Sequence, residues 1–489
     1  VTGVDPSELA IALRVFAQLE QLPVEHPDAV AVRRATARHF KQVKIRRRQQ
    51  RRAADIAADE AVTASTATGS PDRIDDETEG LPLVSTAPGA VAGTLVKSRA
   101  CYVCKNRYHQ VDAFYHQLCA DCAQRNRARR EARTDLSGRR ALLTGGRAKI
   151  GMYIALRLLR DGADTTITTR FPRDAERRFA AMPDARDWLH RLSIVGIDLR
   201  DPSQVVALAD SVAQAGPLDI LINNAAQTVR RSAGAYSALA AAELVGPAEL
   251  ARRAGPDRGG AARGAPQLAS FGHTFDAHPS VLGGALGLPA GLDAAAVTSL
   301  ALRAGSASPD RLAARVAIDA GGLVPDLHEV NSWTQVVDEV EPLELLEVQL
   351  CNLVAPYILV SRLRASLAAS TARRTYVVNV SAMEGQFARA YKGPGHPHTN
   401  MAKAAMNMLT RTSAAEMLAT DAILMTSVDT GWITDERPHP LKVRLAGEGF
   451  HAPLDLVDGA ARVYDPIVRG EAGEDLYGCF LKDYEPAPW

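Results

Sequence analysis

The stretch 139–159 narrows the fold of this chain more than any other. An apolar strand, Arg139-Arg-Ala-Leu-Leu, runs into Thr-Gly-Gly, and an amphipathic helix carrying Ile150, Ile154, Leu156, Leu158 and Leu159 follows. In that context glycine lets the backbone approach phosphate oxygens closely, and the helix N-terminus offers N–H donors and the positive end of its dipole. A second strand at 165–169 follows, a third at 193–197 leads into Asp198, and a fourth at 218–222 ends in Asn223-Asn-Ala-Ala. Strands alternating with helices predict an α/β fold around a parallel sheet, occupying 134–489.

Upstream, the 489 residues leave room for more than one further unit. Residues 1–60 read as a helical region, with helical periodicity and no glycine from residue 5 onward. Its end, 41–52, gathers seven Lys and Arg residues, a solvated face or a contact for phosphate or an acidic partner. Residues 61–97 are rich in small and polar side chains and read as a flexible linker. At 98–133 two Cys-x-x-Cys knuckles, Cys101/Cys104 and Cys119/Cys122, stand fourteen residues apart. Two such turns complete a tetrahedral sulfur shell, predicting a small zinc-ribbon or treble-clef-like module with structural Zn2+. His109 and His116 lie between the knuckles, as packing residues or as a substitute ligand. The basic tail Arg125, Arg127, Arg129, Arg130 and Arg133 reads as a helical connector or a nucleic-acid contact. Cys351 and Cys479 read as core thiols.

The α/β part resembles the short-chain dehydrogenase/reductase family, whose fold is a Rossmann-type doubly wound parallel sheet. Thr144-Gly-Gly-Arg-Ala-Lys-Ile-Gly151 resembles the family's glycine loop, and Asn223-Asn-Ala-Ala226 its Asn-Asn-Ala-Gly strand end. The resemblance implies cofactor contacts from Thr144, Gly145, Arg147, Lys149, Ile150 and Gly151, and from Asn224 and Ala225. Asp198 matches the family's adenine contact, with Leu199 beside it. Asn352, Ser381 and Lys403 match three members of the catalytic tetrad, with Lys403 also on the nicotinamide ribose. Asp429-Thr-Gly-Trp-Ile-Thr434 resembles the segment over the nicotinamide, so Gly431 and Thr434 join the cofactor set. Enzymes that use NAD place a carboxylate after the second strand. This chain offers Arg170 there and Arg147 in the glycine loop, two forks suited to a 2′-phosphate, which favours NADP(H) over NAD(H).

The pattern breaks where the family has its catalytic Tyr, four residues before the Lys. Thr399 stands there, and an aliphatic hydroxyl cannot exchange a proton near neutral pH as a lysine-assisted phenol does. A lengthened Gly-Pro-Gly-His-Pro-His loop precedes it, offering Tyr391, His396 and His398 as replacement acids. Two functions follow. In one, the chain is an NADP(H)-dependent oxidoreductase acting on a small-molecule carbonyl or alcohol. In the other, it is a catalytically inactive NADP(H)-binding sensor or scaffold whose zinc module and basic helices contact a protein or nucleic-acid partner.

An Ala-, Gly- and Arg-rich insertion at 231–324 leaves from the ligand-binding edge of the sheet, as a lid, an oligomer contact or a partly ordered surface segment. The helix after Lys403 carries Met406, Met408, Leu409 and Met417, a stripe for core packing or for a homo-oligomer contact. A net charge of +1 gives no global attraction to nucleic acid or anionic membrane. No run approaches the ~20 uninterrupted apolar residues of a membrane span, and residues 1–10 lack a signal-peptide layout. A cytoplasmic chain is expected.

Overall fold

The computed structural model describes residues 3–71, 73, 83–231, 233–236, 239–240, 243, 267–270, 323, 328–433 and 436–489. Two helices open the chain, α1 (Pro6–Leu19) and α2 (Pro27–Ala64). The Asp5 carboxylate caps α1 by accepting the Ser7 N–H at 2.7 Å, and proline fills the first position of both helices. α1 buries no side chain and α2 only Ala29, so the basic run 41–52 is a solvated helical face.

The expected linker at 61–97 needs correction in its described part. α2 continues to Ala64, Thr66 to Thr68 are buried, and Val91–Ala100 is a strand, β1. The composition lacks apolar bulk, but hydrogen bonds replace it. Ala67 and Thr68 donate their N–H groups to the Ala113 and Phe114 carbonyls at 3.0 and 2.9 Å, and Asp59 on α2 accepts from the Val96 N–H at 2.6 Å. β1 pairs antiparallel with β2 (Arg107–Asp112), and α3 (Ala120–Glu131) completes the cysteine-bearing module.

The rest is a three-layer α/β domain. Its chain order is β3 (Arg140–Leu143), α4 (Lys149–Arg160), β4 (Asp164–Thr169), α5 (Pro172–Ala180), α6 (Ala185–Trp188), β5 (Leu192–Gly196), α7 (Pro202–Gln214) and β6 (Ile220–Asn223). β7 (Gln267–Ser270) comes from the insertion. Then follow α8 (Pro342–Gln349), a wide π-turn (Leu350–Val354), α9 (Ala355–Ala368), β8 (Thr375–Ser381), α10 (Pro397–Asp421), β9 (Ile423–Asp429), α11 (His439–Gly447), α12 (Leu456–Glu471), β10 (Phe480–Lys482) and β11 (Glu485–Ala487). Among the described residues the sheet has nine strands in the order β11-β10-β9-β8-β6-β3-β4-β5-β7, parallel except for the β10–β11 pair. The doubly wound parallel architecture expected from the sequence is the one observed, and the insertion adds an edge strand to it.

Alternation along the strands builds the two cores. Ala141, Leu143, Ile220 and Ile222 face α4 and α12 through Ile154, Leu158, Val463 and Ile467. Leu142, Leu221 and Val377 face the other way, against Val205 and Leu208 of α7 and Leu359 and Leu363 of α9. The run Pro342–Ala368 is long and apolar enough to cross a membrane by length and composition alone, but here that apolar character serves the second core. Leu221 is fully buried between these layers. Leu221→Ala is therefore expected to lower unfolding free energy by about 2–5 kcal/mol, read as a lower midpoint in urea denaturation of the full chain.

Candidate active site at the sheet switch point

Chain direction across the sheet reverses between β3 and β6, which opens a crevice beyond their carboxyl ends. A cavity of about 740 Å³ lies there, a volume suited to a cofactor or substrate. The glycine loop forms its floor. Gly145 has φ +70°, and a Cβ there would sit 2.9 Å from the Ala225 Cα. A Cβ on Gly151 would lie 2.0 Å from the Gly145 carbonyl oxygen and 2.8 Å from the Asn224 Nδ2. Lys149 also adopts a left-handed φ of +54°, which costs a side-chain-bearing residue ~1–2 kcal/mol. The backbone path that glycine would permit is thus kept despite the lysine. Thr144 lies beneath the cavity surface. Its hydroxyl accepts the N–H groups of Asn224 and Ala225, both at 3.0 Å, and the Asn224 amide donates back to the Thr144 and Gly145 carbonyls at 3.0 and 3.2 Å.

Arg147 and Arg170 both line the cavity and stand against one ring, with guanidinium carbons 5.4 and 5.6 Å from the centre of Phe171. Arg147 pairs with Asp174 at 2.5 Å. Arg170 donates to the Tyr236 hydroxyl at 3.3 Å and lies 4.9 Å above its ring, so the insertion contributes an aromatic wall. Asp198 and Leu199 line the same end. Burial pushes the Asp198 carboxyl up, but bonds and charge from Arg200 outweigh it and hold the group below its ordinary value.

At the other end stand Ser381, Lys403, Tyr391 and Gly431. The Ser381 hydroxyl is buried without a hydrogen-bond partner among the described residues. Lys403 donates to the Val380 carbonyl at 2.8 Å, and burial pushes its ammonium down to about 8. Thr399 lines the cavity one helical turn before Lys403. Asp429 is buried beside them, its carboxyl pushed up to about 6 by burial.

Other expected residues fall elsewhere. Asn352 sits in the π-turn behind the wall, accepting the Gln227 N–H at 2.7 Å and donating to the Gln227 carbonyl at 2.8 Å. It braces the wall rather than facing the cavity. His398 is buried and does not line the cavity, a correction to its place among the candidate acids; its neighbours on the helix face the ligand space instead. His396 lines the cavity, stacked at 4.0 Å on Trp333. Tyr391 stands exposed at the rim. Cys351, expected as a core thiol, packs on the core and also lines the cavity. Thr434 lies outside the described residues. Sequence reading missed Phe171, Tyr236 and Tyr102 as lining residues, because a single aromatic side chain carries no spacing that points to a cavity.

The four knuckle thiols lie within 4.8 Å of one another, with Cys104 and Cys119 sulfurs 3.7 Å apart. A tetrahedron with ~2.3 Å metal–sulfur bonds has edges of about 3.8 Å, so the set suits one tetrahedral ion. His116 packs as expected, buried against Thr68, and its imidazole is pushed down to about 3 by burial.

Residues 139–245 match the family model for short chain dehydrogenase. An uncharacterized protein of Acanthamoeba polyphaga mimivirus is 28% identical over 390 residues, 76% of this chain and 71% of that one. A probable oxidoreductase of Streptomyces antibioticus is 40% identical over 91 residues, 19% of this chain and 30% of its own length. Among solved structures, the Pseudomonas aeruginosa RhlG/NADP active-site complex is 17% identical, with 71% of this chain and 94% of that chain covered and a TM-score of 0.41. The NADPH-bound carbonyl reductase from chicken fatty liver is 15% identical, with 73% and 100% covered and a TM-score of 0.41.

Gly151→Ala places a methyl group inside the glycine loop. It is expected to weaken nucleotide binding about tenfold or more while leaving far-UV circular dichroism unchanged, checked by titration calorimetry with NADPH.

Proposed function

We propose that the chain is an NADP(H)-dependent oxidoreductase of the short-chain dehydrogenase type, interconverting a carbonyl and an alcohol on a small molecule. One observation carries this reading: a single cavity at the switch point holds the glycine loop, two guanidiniums and the Ser381–Lys403 pair. The residues fit a dinucleotide. A helix N-terminus and close-packed glycines suit the pyrophosphate, Arg147 and Arg170 suit a 2′-phosphate, and the unpartnered Ser381 hydroxyl suits an oxygen at the reacting end. When bound, the nicotinamide supplies or accepts the hydride.

The chain's own residues orient and polarise. Ser381 donates its hydroxyl proton to the carbonyl oxygen as a hydrogen bond. Lys403 has spent one of its three donors on Val380; of the two that remain, one would hold a ribose hydroxyl of the cofactor and the other would face the substrate oxygen. With Thr399 in the tyrosine position, Lys403 would be the proton source: its remaining N–H would give a proton to the substrate oxygen in carbonyl reduction and take one back in alcohol oxidation. Asn352 keeps the Gln227 wall in place.

The four thiols would hold a structural Zn2+, which with sulfur at every position would be closed to substrate. One further reading, an NADP(H)-binding scaffold without turnover, is favoured by Thr399. A carbonyl panel with NADPH separates the two: sustained NADPH oxidation supports the enzyme, and tight binding with no oxidation supports the scaffold.

The acid role carries a pH signature. Lys403 is protonated below about 8, so carbonyl reduction should fall as pH rises through about 8, and Lys403→Met should abolish turnover at every pH. A rate that is flat across that range would remove Lys403 as the proton donor. The cofactor assignment is checked separately. Arg170→Ala should weaken NADPH about tenfold or more and leave NADH nearly unchanged, since only the former places phosphate at the guanidinium.

A further inference from the structure

The cysteine module does not stand apart from the cavity. Tyr102 lies inside the first knuckle, between Cys101 and Cys104, and its side chain lines the cavity. Its hydroxyl accepts the Trp432 N–H at 2.9 Å, and its own N–H donates to the Gln117 carbonyl at 2.8 Å, near the second knuckle. Trp432 follows Gly431, which has a φ of +78° and where an added Cβ would meet Leu454 at 2.6 Å, so a side chain is excluded there. Ile433 packs in one apolar cluster with Cys101, Cys122 and Tyr115, and Ile150 from the start of α4 touches the same cluster while lining the cavity. The knuckles therefore reach both ends of the ligand space, the glycine loop through Ile150 and the 431–433 segment through Tyr102.

Polar contacts make this docking a fixed one. Arg130 holds Asp455 with two bonds, at 2.6 and 2.9 Å, and Tyr115 donates to Asp458 at 2.7 Å. Both acids sit at the start of α12, which packs on α4. The knuckle, through Tyr102, thus holds a backbone segment that bounds the cavity.

We propose that the four-thiol module forms a wall of the nucleotide site, and that metal binding and dinucleotide binding are coupled through Tyr102, which positions the 431–433 segment. This rests on reading the cavity as a dinucleotide site. Linkage requires the coupling to be reciprocal: if metal tightens NADPH binding, NADPH tightens metal binding by the same factor.

The test uses the full chain loaded with Zn2+. NADPH affinity is measured by calorimetry, and Zn2+ affinity by competition with a chromogenic chelator, with and without saturating NADPH, in wild type and in Tyr102→Phe. The variant keeps the ring and all four thiols and loses only the acceptor for Trp432. It should retain one Zn2+ per chain and bind NADPH about fivefold more weakly. In wild type, NADPH should raise Zn2+ affinity about fivefold or more, and in Tyr102→Phe that effect should shrink. Wild-type NADPH affinity in Tyr102→Phe, or Zn2+ affinity indifferent to NADPH in a wild type that binds NADPH, overturns the coupling while leaving the proposed oxidoreductase intact. Failure of the Zn2+-loaded wild type to bind NADPH at all removes both.

Discussion

The site depends on a latch between two strand ends. Where β3 and β6 part, the Thr144 hydroxyl accepts two backbone N–H groups from the β6 exit, and the Asn224 amide returns two bonds to the β3 exit. Neither strand end could hold this geometry alone, because each would leave unpaired backbone groups at a buried turn. With the latch closed, Gly145 and Gly151 are packed too tightly for a methyl group, and the start of α4 is aimed into the crevice. The apolar layers on both faces of the sheet hold the strands at the spacing the latch requires.

A second constraint is the small size of the cysteine module. A hairpin and one helix bury too little apolar surface to be stable unaided, and metal or a partner surface is the usual remedy. Here the module leans on the α/β domain, sharing Ile433 and Leu454 in its core and answering its basic helix with Asp455, Asp458 and Asp465. The arginines of α3, open to a nucleic-acid reading in the sequence, are thereby engaged within the chain: Arg129 and Arg130 face α12 and its cap, and Arg127 faces Asp112.

The alternating strands, the glycine loop and the paired Cys-x-x-Cys turns were legible because each is a local pattern whose spacing is set by backbone geometry. Arg147 and Arg170 were legible for the same reason, since both sit at fixed offsets from strand ends. The described residues before β1, Thr66 to Thr68, escape a reading from composition because they are held by hydrogen bonds to distant carbonyls, which leave no periodicity in the sequence. His398 was likewise proposed from its position in a loop, whereas the start of α10 decides which neighbouring side chains face the cavity and which are buried.

By itself, then, the sequence determined the order of elements, the parallel sheet, the thiol quartet and the residues at strand ends, all of which follow from periods and spacings within one segment. Only the tertiary structure decided that Tyr102 shares a cavity with the glycine loop, that Asn352 braces Gln227, and that burial brings Lys403 toward neutral pH. Those facts depend on which surfaces meet and how much water they exclude, and no spacing within a single segment encodes them.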